Sequence, residues 1–154
     1  MDFWYWLTHQ FTPEASIAIR EWYLALEKPF FAPPAEAFGL AWAIIYTLIA
    51  LAFLRSLYLY RKGRVSSFFL LLFAGNIALN LSFSPALLAT KDNALISLVI
   101  ILILGTLAWL QIWAYVRVCS VFWMLLPYLL WVTFATVLQL SITVLNRLAT
   151  GRAI

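Results

Sequence analysis

Residues 94–116 read ALISLVIILILGTLAWLQIWAYV and contain no charged side chain. A helix needs about 20 mostly apolar residues to cross the hydrocarbon core of a bilayer. Backbone inside lipid must also satisfy its own hydrogen bonds, and an α-helix does so within one segment. This stretch therefore predicts a transmembrane helix, and it decides the class to which the protein belongs.

Three further apolar runs flank this stretch, at residues 37–60, 67–90 and 121–146. The links between the four runs are short: KGRVSS, KDN and RVCS. Because short links make consecutive helices antiparallel neighbours, the sequence predicts an all-α integral membrane protein with four spans in an antiparallel bundle. Residues 1–154 are expected to form a single membrane domain.

The composition supports a membrane protein and excludes several other classes. Hydrophobic residues make up 66% of the chain and charged residues 10%, whereas soluble domains average about 25% charged residues. The densest basic cluster, RKGR at 61–64, is too short for a nucleic-acid-binding stripe. One cysteine and one histidine provide neither an intrachain disulfide nor a thiolate metal site. No catalytic constellation is recognisable, so we expect no catalytic residues, no bound metal and no nucleic-acid partner.

The N-terminal segment, residues 1–21, is atypical for a spanning helix. Residues 1–11, MDFWYWLTHQF, are aromatic but too short to cross a bilayer. Thr12, followed by proline and glutamate, predicts a helix start. The helix should continue to about Glu27 with a mixed polar and apolar surface, which suits the membrane interface.

The next segment, residues 22–36, is rich in aromatic residues and proline, and we call it the lid segment. With the start of the first span it reads WYLALEKPFFAPPAEAFGLAWAIIY, residues 22–46. Pro29, Pro33 and Pro34 each remove a backbone donor and disfavour helix in the preceding residue. One interpretation is a cover over a cavity. The other is an interfacial connector with an aromatic belt, which composition alone favours.

Polar residues inside the second span carry two alternative interpretations. Asn76 and Asn80 are four residues apart and share a helix face with Phe83. Polar groups at membrane depth are costly and usually face the bundle interior or a cavity. The asparagines either form hydrogen bonds between helices, or Asn80 points into a ligand cavity.

Two other spans carry aromatic stripes at helical spacing. Phe38, Trp42 and Tyr46 share one face of the first span. Such stripes are more often packing or lipid-facing surfaces than ligand sites, but polar residues near mid-span favour a site here. The stripe on the fourth span consists of Tyr128, Trp131, Ala135 and Gln139.

These motifs together resemble the translocator protein family, also called tryptophan-rich sensory proteins or peripheral-type benzodiazepine receptors. The lid motif WYLALEKPFFAPP is close to the family's W-Y-x-x-L-x-K-P-x-W-x-P-P. The chain departs from the family pattern at Phe31 and Phe83, where the family has tryptophan, and at Gln139, where it has asparagine. The other matching motifs are Phe38-x-x-x-Trp42-x-x-x-Tyr46, Asn80-x-x-Phe83-Ser84-Pro85, Pro127-Tyr128-x-x-Trp131-x-x-x-Ala135-Thr136, and Asn146.

The resemblance implies a five-helix bundle with a ligand cavity beneath the lid segment, although the first helix here is short or interfacial. Family members bind tetrapyrroles such as protoporphyrin and haem, and are commonly homodimers. No cofactor is required, and a multi-pass protein of a bacterial inner membrane is expected. The candidate ligand-binding residues are Trp42, Tyr46, Asn80, Phe83, Tyr128, Trp131, Ala135 and Gln139, with Trp22, Lys28, Pro29 and Pro34 in the lid.

Three functions stay open at this point. The first is a tetrapyrrole sensor or carrier, in which Lys28 or Arg20 pairs with ligand propionates at the cavity mouth. The second is an enzyme that degrades porphyrin with light or oxygen. The third is a ligand-free membrane assembly partner. For a homodimer, the small residues Gly105 and Ala108 on the third span are the candidate contact face.

Overall fold

A computed structural model describes residues 13–149 of the chain. Four of the helices are long and apolar enough to cross a membrane, so the expected all-α bundle with four spans is confirmed. These four helices match the four predicted apolar runs to within three residues at each end. Thr12, the expected N-cap, and residues 1–11 lie outside the described part. The described helices are α1 (Pro13–Ala25), α2 (Ala35–Arg61), α3 (Ser67–Thr90), α4 (Asn93–Arg117) and α5 (Cys119–Ala149).

Local sequence signals fix the ends of the spanning helices. The side chain of Ser66 accepts a hydrogen bond from the backbone N–H of Phe69, and Asp92 caps α4 in the same way. Side-chain caps of this kind satisfy N–H groups that have no partner within the helix. The turn after α2 contains Gly63 at a φ of +69°, a conformation that favours glycine. The helices therefore reverse within a few residues.

Helix α1 ends at Ala25, two residues before the expected end near Glu27. The ammonium group of Lys28 lies at the C-terminus of α1 and donates to the backbone oxygens of Tyr23, Leu24 and Leu26. Cations are favoured at helix C-termini because the last carbonyls lack backbone partners. The ammonium group of Lys28 therefore bonds carbonyls whose partners would otherwise be the backbone N–H groups of another helical turn.

The bundle core lies between α2, α3, α4 and α5, and α4 and α5 share the longest interface. A second, smaller cluster joins α1 to α5 through Tyr23, Leu138 and Ile142. This second contact places α1 and the lid segment over one end of the bundle. The largest fully buried side chains of the main core are Tyr128, Phe69, Phe73, Ile103, Leu107, Leu110 and Leu125.

Gly105 of α4 faces away from the other described helices. A Cβ built on it would meet nothing within 4 Å, so this glycine does not serve a close helix contact within the monomer. The predicted homodimer contact at this face stays a prediction.

Candidate functional site

A cavity of about 500 Å³ lies between the five helices. Its lining comes from the N-terminal half of α2, the C-terminal halves of α3 and α5, and the N-terminal half of α4. These parts lie at the same end of the antiparallel bundle, which is the end that α1 covers. Its volume falls within the range of about 300–1,000 Å³ that small-molecule sites occupy.

One side of the cavity is a continuous series of aromatic rings. The ring of Tyr23 meets Phe38 edge-on at 5.3 Å, and Phe38 meets Trp131 edge-on at 5.8 Å. Trp131 then approaches Trp42 at 6.3 Å, and Trp42 stacks on Tyr46 at 5.2 Å. These are the offset and edge-to-face geometries that aromatic pairs prefer. The series therefore forms a preorganised wall from α1 to the middle of α2.

The deep end of the cavity is closed by a chain of hydrogen bonds. The hydroxyl of Tyr46 donates to Asn80 Oδ1 at 2.8 Å, and Asn80 Nδ2 donates to the Tyr128 hydroxyl at 3.0 Å. That hydroxyl donates to Asn76 Oδ1 at 3.1 Å, and Asn76 Nδ2 donates to the backbone oxygen of Ile103 at 3.0 Å. Asn76 is fully buried and joins helices, whereas Asn80 both lines the cavity and belongs to the chain.

Tyr128 differs from its expected position in the ligand site. Its side chain is 0% exposed and lies behind the cavity wall, bonded to both asparagines. The buried amides occupy the space that Tyr128 would need to reach a ligand directly. Its position indicates that it supports Asn80 from behind.

The wall also contains a polar group without a partner. The indole Nε1 of Trp131 is buried and has no hydrogen-bond partner in the described part of the chain. A buried donor left unpaired costs roughly 1–3 kcal/mol. The Trp131 ring lines the cavity, but its Nε1 atom is itself buried away from the cavity space.

A second polar point on the lining is Gln139 of α5. Its Nε2 lies 3.5 Å from Asn93 Oδ1 and 3.4 Å from Thr143 Oγ1. Both distances are at the long end for hydrogen bonds, so these contacts are weak. The Gln139 amide is therefore held only loosely by the protein.

The cavity mouth carries one ion pair, between α1 and the start of α2. Arg20 Nη2 lies 2.7 Å from Glu36 Oε1, and the two side chains are 59% and 66% exposed. Both residues line the cavity. They are the charged residues among those described in its lining.

The lid segment is tied to the bundle by backbone contacts. Asn146 of α5 donates to the Glu27 carbonyl at 2.9 Å and accepts from the Glu27 N–H at 3.1 Å. The hydroxyl of Tyr23 donates to the Pro33 carbonyl at 2.9 Å. Of the four predicted lid residues, Trp22 lines the cavity.

The other three predicted lid residues, Lys28, Pro29 and Pro34, do not line the cavity. The three carbonyl contacts of Lys28 hold its ammonium group against α1. This position differs from the expected pairing of Lys28 with ligand propionates. Lys28 therefore stabilises the end of α1 within the lid segment and does not contribute to the cavity mouth.

Seven of the eight predicted ligand-binding residues line the cavity together: Trp42, Tyr46, Asn80, Phe83, Trp131, Ala135 and Gln139. Sequence reasoning missed several apolar lining residues. Leu138 and Ile142 follow Trp131 and Ala135 at helical spacing, so extending that stripe would have found them. Ile100 and Ile103 of α4 carried no such signal, because every face of that helix is apolar.

Comparisons with known proteins agree with this arrangement. A sequence model described as the TspO/MBR family matches residues 4–145. The chain is 38% identical over 131 residues to an uncharacterized membrane protein, YtaB, of Bacillus subtilis, covering 82% of this chain and 81% of that protein. It is 32% identical over 129 residues to a tryptophan-rich sensory protein of Cereibacter sphaeroides, covering 82% and 77%. It is 34% identical over 134 residues to a tryptophan-rich protein TspO of Bacillus cereus, covering 82% of each.

The matched region includes α2 to α4 in full and most of α5, so it contains the aromatic wall and the asparagine chain. The fold, the four spans and the sequence matches lead to one conclusion: the chain belongs to the TspO/MBR family and is a multi-pass integral membrane protein of the bacterial type.

Proposed function

We propose that this protein binds a tetrapyrrole, such as protoporphyrin or haem, in the cavity beneath α1 and acts as a membrane sensor or carrier. The observation that carries the proposal is the continuous aromatic wall around Trp131, which lines a cavity of about 500 Å³. A flat macrocycle offers a large apolar face to such a wall.

The proposal is tested by titrating the purified protein with protoporphyrin and following the Soret absorption band. Absorption of the ligand is used because tryptophan fluorescence changes whenever a tryptophan is replaced. We expect a saturable shift with the parent protein. Trp131→Phe replaces the indole with a smaller ring and so reduces the contact between the wall and the macrocycle, and affinity should fall about threefold to tenfold.

Trp123→Phe is the matched control, since Trp123 lies on the same helix, is 62% exposed and does not line the cavity. It should leave affinity unchanged. A non-saturable titration of the parent protein would reject tetrapyrrole binding. Equal affinities for the parent protein and Trp131→Phe would reject the role given to the Trp131 ring in the wall.

A second candidate function is breakdown of bound porphyrin under light and oxygen. The approach of Trp42 and Trp131 to 6.3 Å, both in the cavity wall, favours this candidate because two oxidisable rings lie beside the ligand space. The test is illumination of protoporphyrin with and without the purified protein. The absence of a protein-dependent absorbing product would reject this activity while leaving binding intact.

A further inference from the structure

We infer that Arg20 selects ligands that carry a carboxylate, and that Glu36 is a carboxylate built into the protein which competes for the same guanidinium group. The inference rests on the proposed function and deepens it. It assigns the ligand class as a flat apolar molecule with at least one ionised carboxylate at its edge. The evidence lies in the ion pair at the cavity mouth.

The geometry gives Arg20 a position that no other described cation shares. Arg20 lines the cavity beside Trp22 and Tyr23 on α1, and Glu36 lines it from the first turn of α2. Lys28 is the nearest basic residue in the lid segment. Its ammonium group is occupied by three backbone carbonyls, so Arg20 remains the cation in the described lining.

The charge pattern fits an amphipathic ligand. The deeper wall is aromatic and its polar groups are neutral, whereas charge occurs at the mouth. A ligand whose ring enters the aromatic part would leave its acidic substituents at the level of α1. Guanidinium binds carboxylates with two parallel hydrogen bonds, which adds geometric selectivity to the attraction of opposite charges.

The Arg20–Glu36 pair is suited to the exchange of the Glu36 carboxylate for a ligand carboxylate. Both side chains are more than half exposed, and ion pairs between exposed side chains contribute little to stability because water screens them. Replacing the Glu36 carboxylate by a ligand carboxylate therefore costs the protein little. Once the ring is held in the cavity, the ligand carboxylate is tethered beside Arg20 and competes at a high effective concentration.

The experiment compares protoporphyrin with its dimethyl ester, which has the same macrocycle but no ionisable carboxylate. Both are titrated at neutral pH into the parent protein and into Arg20→Gln, Arg20→Lys and Glu36→Gln. Arg20→Gln should weaken binding of the acid about twofold to fivefold, and Arg20→Lys should recover part of this loss. Glu36→Gln should strengthen binding of the acid about threefold, because the competitor is gone.

The ester and a control variant separate the possible failures. None of the variants should change affinity for the ester, and Arg64→Gln, in the link at the opposite end of the bundle, should change neither ligand. If Arg20→Gln weakens both ligands equally, or neither, charge selection at the mouth is overturned while tetrapyrrole binding stands. If the parent protein binds neither ligand, the proposed function fails, and this inference fails with it.

Discussion

Replacing Tyr128 with phenylalanine separates a structural role from a ligand-binding role for the deep end of the cavity. The change removes one oxygen and keeps the ring. In the parent protein that hydroxyl accepts from Asn80 Nδ2 at 3.0 Å and donates to Asn76 Oδ1 at 3.1 Å. The variant therefore loses two buried hydrogen bonds that link α5 to α3 and opens no large space.

The loss of stability depends on whether the Asn76 and Asn80 side chains keep other hydrogen-bond partners once the hydroxyl is removed. Hydrogen bonds between membrane helices average about 0.6 kcal/mol and reach roughly 1–2 kcal/mol. Asn76 is fully buried, so its Oδ1 would be left without this partner and without water, at a cost of about 1–3 kcal/mol. Asn80 borders the cavity and keeps its bond from Tyr46, so its loss is smaller. We expect a total destabilisation of about 1–3 kcal/mol.

The assay is thermal unfolding in detergent, followed by near-ultraviolet circular dichroism. For a chain of this size, each 1 kcal/mol shifts the midpoint by about 2–4 °C if the transition is reversible. Tyr128→Phe should lower the midpoint by several degrees, and Tyr46→Phe, which removes one bond at the cavity surface, should lower it less. Tyr115→Phe is the control, because Tyr115 is 69% exposed.

Two results would refute this reasoning. If Tyr128→Phe unfolds at the same temperature as Tyr115→Phe, the hydrogen-bond chain does not stabilise the bundle. If Tyr128→Phe keeps full stability but binds protoporphyrin much more weakly, the hydroxyl contacts the ligand directly, as the sequence stripe suggested.

Two other substitutions test the remaining parts of the structure. Gln111→Leu should stabilise the protein by about 1–3 kcal/mol, because both amide atoms of Gln111 are buried without partners among the described residues; an unchanged or lower unfolding midpoint would contradict this. Asn146→Ala should loosen the lid segment by removing two hydrogen bonds to the Glu27 backbone. Bound protoporphyrin should then dissociate severalfold faster in a displacement experiment, and an unchanged rate would show that this tie does not control exit.

The spanning helices could be predicted from the sequence because the membrane imposes a strong and simple requirement. Long apolar runs and links of a few residues determine helix positions and antiparallel order with little freedom left. The cavity-facing sides of α2, α3 and α5 were also predictable from spacing, which is why Trp131, Ala135 and Gln139 do meet at the cavity.

Helical spacing does not determine the depth at which a cavity ends. Tyr128 lies on the same stripe as Trp131 but about 4.5 Å farther along the α5 axis. At that level Asn76 and Asn80 from α3 fill the interior, so the tyrosine bonds to them. The contact depends on the relative height of two helices, and no pattern within a single helix contains that information.

The position of Lys28 was unpredictable for a different reason. The sequence shows a cation in the lid segment, but two destinations compete for it: a ligand at the mouth and the carbonyls at the end of α1. The carbonyls lie two to five residues away in sequence and cost little chain entropy to reach. Local contacts of this kind take precedence, and Arg20 of α1 is the cation that lines the cavity among the described residues.

Hydrogen-bond partnership sorts the polar residues of the bundle into two groups. Asn76 and Tyr128 have partners on neighbouring helices and no access to the cavity, so they contribute to stability. Trp131 has a buried donor without a partner, and Gln139 has only long contacts, and both line the cavity. Gln111 belongs to neither group, because its amide is buried without a partner among the described residues and does not line this cavity. A buried donor without a partner is therefore not by itself the sign of a ligand site. What distinguishes Trp131 and Gln139 from Gln111 is their place on the cavity lining, beside the aromatic wall, so the proposed ligand site rests on that geometry.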